Sequence, residues 1–226
     1  MTPRELKIAA ARAALAEVKS GMTLGLGTGS TSEEFVRLLG EALASKALRA
    51  LRCTCTSNKT EEQARSLGIS IHALAEIAPL DLAIDGADEI DAQLRLIKGR
   101  GGALLREKIV EQAAQRFIVI ADESKLVQRL GVGVLPVEVT PFAREVLQRR
   151  FAAMDLSPVL RTHDGQPRGT DEGHQIVDIR VPHDQDIADV VARIRELAGV
   201  VETGFFPREA SEAMIATTAG IRLLKR

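Results

Sequence analysis

Lys98, Glu107, Asp85 and Asp88 are the side chains whose types and spacing could move protons, and each belongs to or borders a glycine-bearing turn. Lys98-Gly-Arg-Gly-Gly102 leads into a helical pattern with Glu107 about one turn inside it, so a cation and a carboxylate can face one ligand. Asp85-Gly-Ala-Asp88 follows an apolar run, which puts the first carboxylate where a strand should end and the second one tight turn later. Gly25-Leu-Gly-Thr-Gly-Ser-Thr31 also joins an apolar run to a helical pattern, where backbone N–H groups and a helix N terminus can hold an anion. A lysine, carboxylates and phosphate-binding turns are the equipment for moving protons on a small phosphorylated molecule. The chain reads as an enzyme.

Each motif also has a plainer reading. Gly25-x-Gly27-x-x-Ser30 lacks the third glycine of a dinucleotide fingerprint, and no acid stands in the Leu48–Arg52 stretch to hold a ribose. A nicotinamide cofactor is therefore disfavoured, and a single phosphate or polyol suits Thr28, Ser30 and Thr31 better. Asp85 and Asp88 could merely cap a turn. A metal held by Asp85, Asp88 and Asp91 is weakly supported, because the spacing lacks calcium-loop order and no histidine is near in sequence. His72, His163, His174 and His183 are scattered and read as surface residues. Arg106, Glu107 and Lys108 alone would pass for a solvated charged face. Three ligand-friendly turns at successive strand ends are harder to assign to accident than any one of them.

Composition narrows the classes. The 30 basic and 31 acidic residues cancel, so no overall field draws the chain to nucleic acid or an anionic membrane. Tryptophan and tyrosine are absent, which removes most stacking platforms for single-stranded nucleic acid. No apolar run is long enough to span a membrane, and the charges at Arg4, Glu5 and Lys7 are unlike a signal peptide, so the expected location is the cytoplasm. Cys53 and Cys55 alternate with threonine on an expected strand, without zinc or redox spacing, and read as buried thiols.

These turns need a scaffold, and the pattern supplies one. Thr2-Pro-Arg-Glu5 is a capping box with proline at the first helical position, opening a helix to about residue 19. Strands are expected over 22–26, 51–56, 80–84 and 117–121, alternating with helices over 31–43, 61–67 and 103–115. That alternation implies an open parallel sheet. From about residue 132 the order becomes strand 132–139, helix 141–154, strand 157–161, strand 175–181, helix 185–197, strand 200–206, which is the βαββαβ order of a ferredoxin-like unit. Strands at 213–217 and 221–224 can return to the first sheet. The expected fold is α/β: an open Rossmann-like domain from 1–130 and 207–226, plus a smaller α+β ferredoxin-like domain over 131–206.

On these motifs the sequence resembles type A ribose-5-phosphate isomerases. The resemblance rests on Gly-Thr-Gly-Ser-Thr at 27–31, Asp-Gly-Ala-Asp at 85–88, the Lys98 glycine loop and Arg-Glu-Lys-Ile at 106–109. Ala121-Asp-x-Ser-Lys125, Pro136-Val-Glu-Val139 and Gly199-Val-Val-Glu-Thr-Gly204 extend it over nearly the whole chain. It implies interconversion of D-ribose 5-phosphate and D-ribulose 5-phosphate without metal or cofactor, by homodimers or homotetramers. It also implies Glu107 as the base, Lys98 as the stabiliser of enediolate charge, and Asp85 as a hydroxyl ligand that can relay the oxygen proton. Thr28, Gly29, Ser30, Thr31, Gly86, Ala87, Asp88, Gly99, Arg100, Gly101 and Lys125 match the substrate-binding positions. Arg100 stands where the family has glycine, so either a positive φ is strained there or the guanidinium reaches the phosphate. The tail Ala216-Thr-Thr-Ala-Gly-Ile221 also departs from the family's turn. Two other readings stay open: a sugar-phosphate deaminase, which would want a histidine near the site, and a non-catalytic sugar-phosphate sensor, which would not need Glu107 and Lys98.

Overall fold

The structure is a computed structural model describing residues 1–226. Its elements begin α1 (Pro3–Leu15), β1 (Thr23–Leu26), α2 (Ser30–Ala44), β2 (Arg52–Cys55), α3 (Asn58–Ser66), α4 (Leu74–Ile77) and β3 (Leu82–Asp85). Next come β4 (Glu89–Ile90), β5 (Leu96–Ile97), α5 (Leu104–Gln112), β6 (Phe117–Asp122), a 3-10 turn Glu123–Lys125, β7 (Leu135–Val139) and α6 (Arg144–Ala153). They are followed by β8 (Val159–Leu160), β9 (Thr162–His163), β10 (Gln166–Pro167), β11 (Gln175–Ile179), α7 (Ile187–Arg195), β12 (Val200–Thr203), β13 (Phe205–Phe206), β14 (Glu212–Thr217) and β15 (Gly220–Lys225). Two compact units emerge, one of residues 1–87, 106–126 and 208–226, the other of 88–105 and 127–207.

The first unit is built on a six-stranded sheet ordered β15-β14-β6-β3-β1-β2, parallel throughout except for the β14–β15 hairpin. Register pairs Leu24 with Leu82, Leu26 with Ile84 and Ile84 with Ile118, so these side chains share one sheet face. They pack there with Ala10, Ala11 and Ala14 of α1 and Phe35, Val36 and Leu39 of α2. Small residues on α1 let that helix lie close, and Phe35→Ala would open a cavity worth about 3–5 kcal/mol. The opposite face meets α5, where a Cβ on Gly25 would sit 2.5 Å from Val110 Cγ1. Gly25 therefore serves helix packing rather than a ligand turn. The capping box is present, with Thr2 Oγ1 accepting the Glu5 N–H and Glu5 Oε2 accepting the Thr2 N–H at 2.6 Å. At the tail turn, Thr217 Oγ1 donates to Gly220 O and accepts the Ala219 N–H, and Gly220 takes φ +127°, so this sequence closes its hairpin with a threonine hydroxyl.

The second unit contains an antiparallel sheet ordered β12-β7-β11-β8, the strand order of a ferredoxin-like fold built from β7-α6-β8-β11-α7-β12. Val137, Val139, Val177 and Ile179 face Leu147 and Phe151 of α6 and Val190 and Ile194 of α7. The strand expected over 200–206 divides: β12 stays with β7, while β13 joins β5 and β4 in a separate three-stranded sheet. Residues 88–105, which sequence placed with the first domain, group with the second unit. Their pairing shows why, since Ile97 is opposite both Glu89 and Phe205, and Lys98 N–H donates to Gly204 O. Strands of two residues are too short to show a period. His174, read as a surface residue, is only 25% exposed at its side chain and bonds the buried Glu138 at 3.0 Å.

Candidate active site

In open α/β sheets ligands bind at the carboxyl ends of the strands, and in the first unit the motifs gather at that edge. Asp85 closes β3 and is 1% exposed. Its Oδ1 accepts the Thr28 N–H at 2.9 Å, the Ser32 hydroxyl at 2.8 Å and the Gly86 N–H at 2.6 Å. One carboxylate oxygen thus binds the loop after β1 to the loop after β3. Gly27 makes that approach possible, because a Cβ there would lie 2.0 Å from Asp85 Cγ.

Gly29 precedes α2 with φ +118°, and the first helical bond runs from Glu33 N–H to Gly29 O. The N–H groups of Ser30, Thr31 and Ser32 precede that bond and belong to the helix end that favours anions. Lys7 of α1 adds charge to this end, with Nζ 2.9 Å from Ser30 Oγ. Thr28 Oγ1 lies 2.7 Å from Thr56 Oγ1, 2.8 Å from Ser57 Oγ and 3.1 Å from Thr60 Oγ1, so the loop is also pinned to the end of β2 and the start of α3. Lys125 ends the turn that follows β6, the strand beside β3.

Glu107 stands in the first turn of α5 and is 4% exposed. Its neighbour Arg106 donates from Nη1 to Asn58 Oδ1 at 2.8 Å, at the N terminus of α3, which anchors this turn of α5 beside the same strand ends. Val110, one turn further on, is the residue that packs against Gly25.

The second unit carries Asp88 and the lysine loop. Lys98 is 2% exposed, its N–H bonds Gly204 O at 2.9 Å, and its Nζ lies 5.6 Å from the Phe206 ring centroid. A Cβ on Gly204 would come within 2.2 Å of Lys98 O, so only glycine permits this pairing. Gly102 N–H returns to Gly99 O at 3.0 Å and closes a turn, with φ +106° at Gly99 and +85° at Gly102. Arg100 is not among the residues with positive φ, so the strain expected there does not arise. Gly99 before it and Gly102 two residues after it take the left-handed conformations instead. The Arg100 N–H donates to Asp88 Oδ2 at 3.0 Å, and its guanidinium and Glu89 Oε1 each lie 3.0 Å from where a Cβ on Gly133 would sit. Asp91 is committed to Arg95, whose Nε is 2.6 Å from Oδ2, and to the N–H groups of Gln93 and Arg95.

Sequence reasoning missed Lys7, which reads as one more solvated lysine on an amphipathic helix. It also missed Ser32 and the Thr56, Ser57 and Thr60 hydroxyls, which only tertiary pairing brings to Thr28. Cys53 and Cys55 are free thiols whose pKa values burial pushes up to about 12, so they are poor nucleophiles.

An open parallel sheet with a helix N terminus, a lysine and hydroxyls at its carboxyl edge, and a buried glutamate on α5, fits an enzyme acting on a small phosphorylated molecule. Comparison with known proteins narrows the class. Residues 52–220 match the family described as ribose 5-phosphate isomerase A (phosphoriboisomerase A). The chain is 46% identical to ribose-5-phosphate isomerase A of Sinorhizobium medicae, over 100% of this chain and 99% of that one. A solved D-ribose-5-phosphate isomerase in complex with phospho-erythronic acid superposes with a TM-score of 0.95 at 36% identity, covering 100% of both chains. The Neisseria gonorrhoeae ribose 5 phosphate isomerase A structure gives 0.90 at 38% identity, over 99% of this chain and 97% of that one. The chain belongs to the ribose 5-phosphate isomerase A family and is an isomerase.

Proposed function

We propose that the chain interconverts D-ribose 5-phosphate and D-ribulose 5-phosphate through an enediolate, with Glu107 as the base. In this reaction the C2 proton leaves to the Glu107 carboxylate and the electron pair moves onto O1. The same carboxyl then returns a proton to C1 while O2 gives up its proton and O1 is relieved of its charge. One base serves both carbons because C1 and C2 are adjacent. The Lys98 ammonium steadies the negative charge that grows on oxygen, a role whose removal typically costs about 3 kcal/mol of barrier. Asp85 and Asp88 hold sugar hydroxyls, and Asp85 relays the oxygen proton.

The phosphate is assigned to the N terminus of α2, among Gly29, Ser30 and Thr31, with Lys7 as its cation. Gly86, Ala87, Gly99, Arg100, Gly101 and Lys125 complete the substrate-binding set. The observation that carries the reading is the Asp85 carboxylate, since its three donors hold the phosphate-binding loop and the Asp-Gly-Ala-Asp turn in one arrangement at a strand edge. The first unit, with the base, is the catalytic domain. The reaction needs neither metal nor cofactor, because carboxylate and ammonium supply the proton transfer and the charge. A cytoplasmic homodimer or homotetramer is the proposed setting, supported by the exposed β15 edge with Ile221 and Leu223. No helix is long and apolar enough to cross a membrane.

The test is calorimetric titration with phospho-erythronic acid, whose carboxylate stands in for the enediolate oxygens, and with inorganic phosphate. The analogue should bind wild type more tightly than phosphate by at least about 100-fold, with both weakened in Lys7→Ala. Equal affinities would reject an enediolate-directed site.

A further inference from the structure

The Lys98–Gly102 turn is held from one side by a cation that the mechanism does not use. Arg161 lies between β8 and β9, and its side chain is 13% exposed. From Nη1 it donates to Gly99 O at 2.6 Å and to Arg100 O at 3.2 Å. Its other edge is fixed by Asp178 of β11, with Nε to Oδ2 at 2.9 Å and Nη2 to Oδ1 at 2.5 Å. Arg168 adds a donor to the next carbonyl, Gly101 O, at 3.3 Å, and its N–H bonds Arg161 O at 3.1 Å. Three successive carbonyls therefore turn toward guanidinium groups.

A trans peptide points its N–H opposite to its C=O. Drawing Gly99 O and Arg100 O to Arg161 thus sends the N–H groups of Arg100 and Gly101 the other way. The first of these meets Asp88 Oδ2 at 3.0 Å. By the same peptide geometry the second is directed away from Arg161, and consecutive N–H groups so directed can hold an anion. Asp178 fixes the plane of the guanidinium through a bidentate carboxylate and so directs both Nη1 donors at the loop.

We infer that Arg161, held by Asp178, is a positioning residue for the isomerisation: it sets the peptide orientations of the Lys98–Gly101 loop and, through the Arg100 N–H, the carboxylate of Asp88. Arg161 touches no reacting atom. The inference rests on the assignment of Lys98, Gly99, Arg100 and Gly101 to the substrate site.

Arg161→Ala should lower kcat/KM by about 100-fold, mostly through kcat, since misplacing a catalytic group by an ångström has that effect. Amide exchange in a peptide spanning 98–102 should rise while exchange in the strands is unchanged, and added guanidinium should restore activity by about tenfold. Because the half-buried Asp178 is left without Arg161 in that variant, the neutral pair Arg161→Met with Asp178→Leu is made alongside, and it should fold and stay as impaired. If either fails to fold, Asp178→Asn, which keeps the shape and weakens the grip on Arg161, is judged by kcat/KM and by exchange at 98–102 alone. A folded variant with kcat/KM within about threefold of wild type, or a loss without faster exchange at 98–102 and, in Arg161→Ala, without guanidinium rescue, overturns the inference. Lys98→Ala separates the two levels: if it leaves turnover intact, the site assignment fails, whereas active Arg161 variants beside an inactive Lys98→Ala sink this inference alone.

Discussion

Gly27→Ala puts a methyl group where the structure has none to spare. The added Cβ would lie 2.0 Å from both Cγ and Oδ1 of Asp85, short of an ordinary contact by about 1.5 Å. Asp85 cannot retreat that far and keep hydrogen bonds of 2.9, 2.8 and 2.6 Å to Thr28, Ser32 and Gly86. A hydrogen bond to a charged group contributes about 1.5–3 kcal/mol, so losing two or three of them costs roughly 5 kcal/mol. That is a large part of a typical total stability of about 5–15 kcal/mol. Urea unfolding and kcat/KM with ribose 5-phosphate are measured together, with Gly21→Ala as control. Gly21 has φ +87° and no neighbour within 4 Å of a Cβ, so its substitution carries backbone strain alone; it should cost about 1 kcal/mol and leave turnover unchanged. Gly27→Ala combined with Asp85→Gly relieves the overlap but removes the acceptor of all three hydrogen bonds, so it should recover neither the stability nor the activity. A Gly27→Ala protein within about 1 kcal/mol of wild type and as active would refute this role for Asp85.

Three further outcomes follow from the geometry. Gly204→Ala drives a Cβ to 2.2 Å from Lys98 O, a backbone atom that cannot swing aside, so kcat/KM should fall by about 100-fold or more in steady-state assays. Lys7→Ala should raise KM for ribose 5-phosphate by about tenfold with a smaller change in kcat, as expected when a charge on a non-reacting phosphate is removed. Cys53 and Cys55, with pKa values near 12, should resist iodoacetamide at pH 8 in the native protein and react once unfolded, as read by mass spectrometry. Their raised pKa values also mean that the native state holds thiol protons that the unfolded state releases from about pH 9, so stability is lost as pH climbs from about 9 toward 12.

Local signals carried much of the fold. Thr2 and Glu5 announced the first helix because a capping box is a short-range device. The apolar runs ending at Leu26 and Asp85 were legible as buried parallel strands, and the strand and helix order from Leu135 onward was enough for the ferredoxin-like unit. The β4–β5 hairpin was not, since its two-residue strands owe their existence to Phe205 and Phe206 more than a hundred residues later. The same distance hid half of the site. Gly25 and Gly27 looked like one ligand-binding turn, yet one makes room for Val110 and the other for Asp85. Lys7 and Ser30 are joined only by the packing of α1 on α2, and Arg161 reaches Gly99 only after β8 has paired with β11. Spacing along the chain identifies groups able to do chemistry; the partners that orient them come from tertiary pairing.

The proton transfer assigned to Glu107 is tested most directly by incubating metal-stripped protein with D-ribose 5-phosphate in heavy water, following ketose formation and deuterium at C1 by NMR. Wild type should produce ribulose 5-phosphate carrying solvent deuterium. Glu107→Gln should remain folded and bind phospho-erythronic acid, yet lose both conversion and exchange by about 100-fold or more. A folded Glu107→Gln variant that still converts and exchanges at close to the wild-type rate would contradict the account.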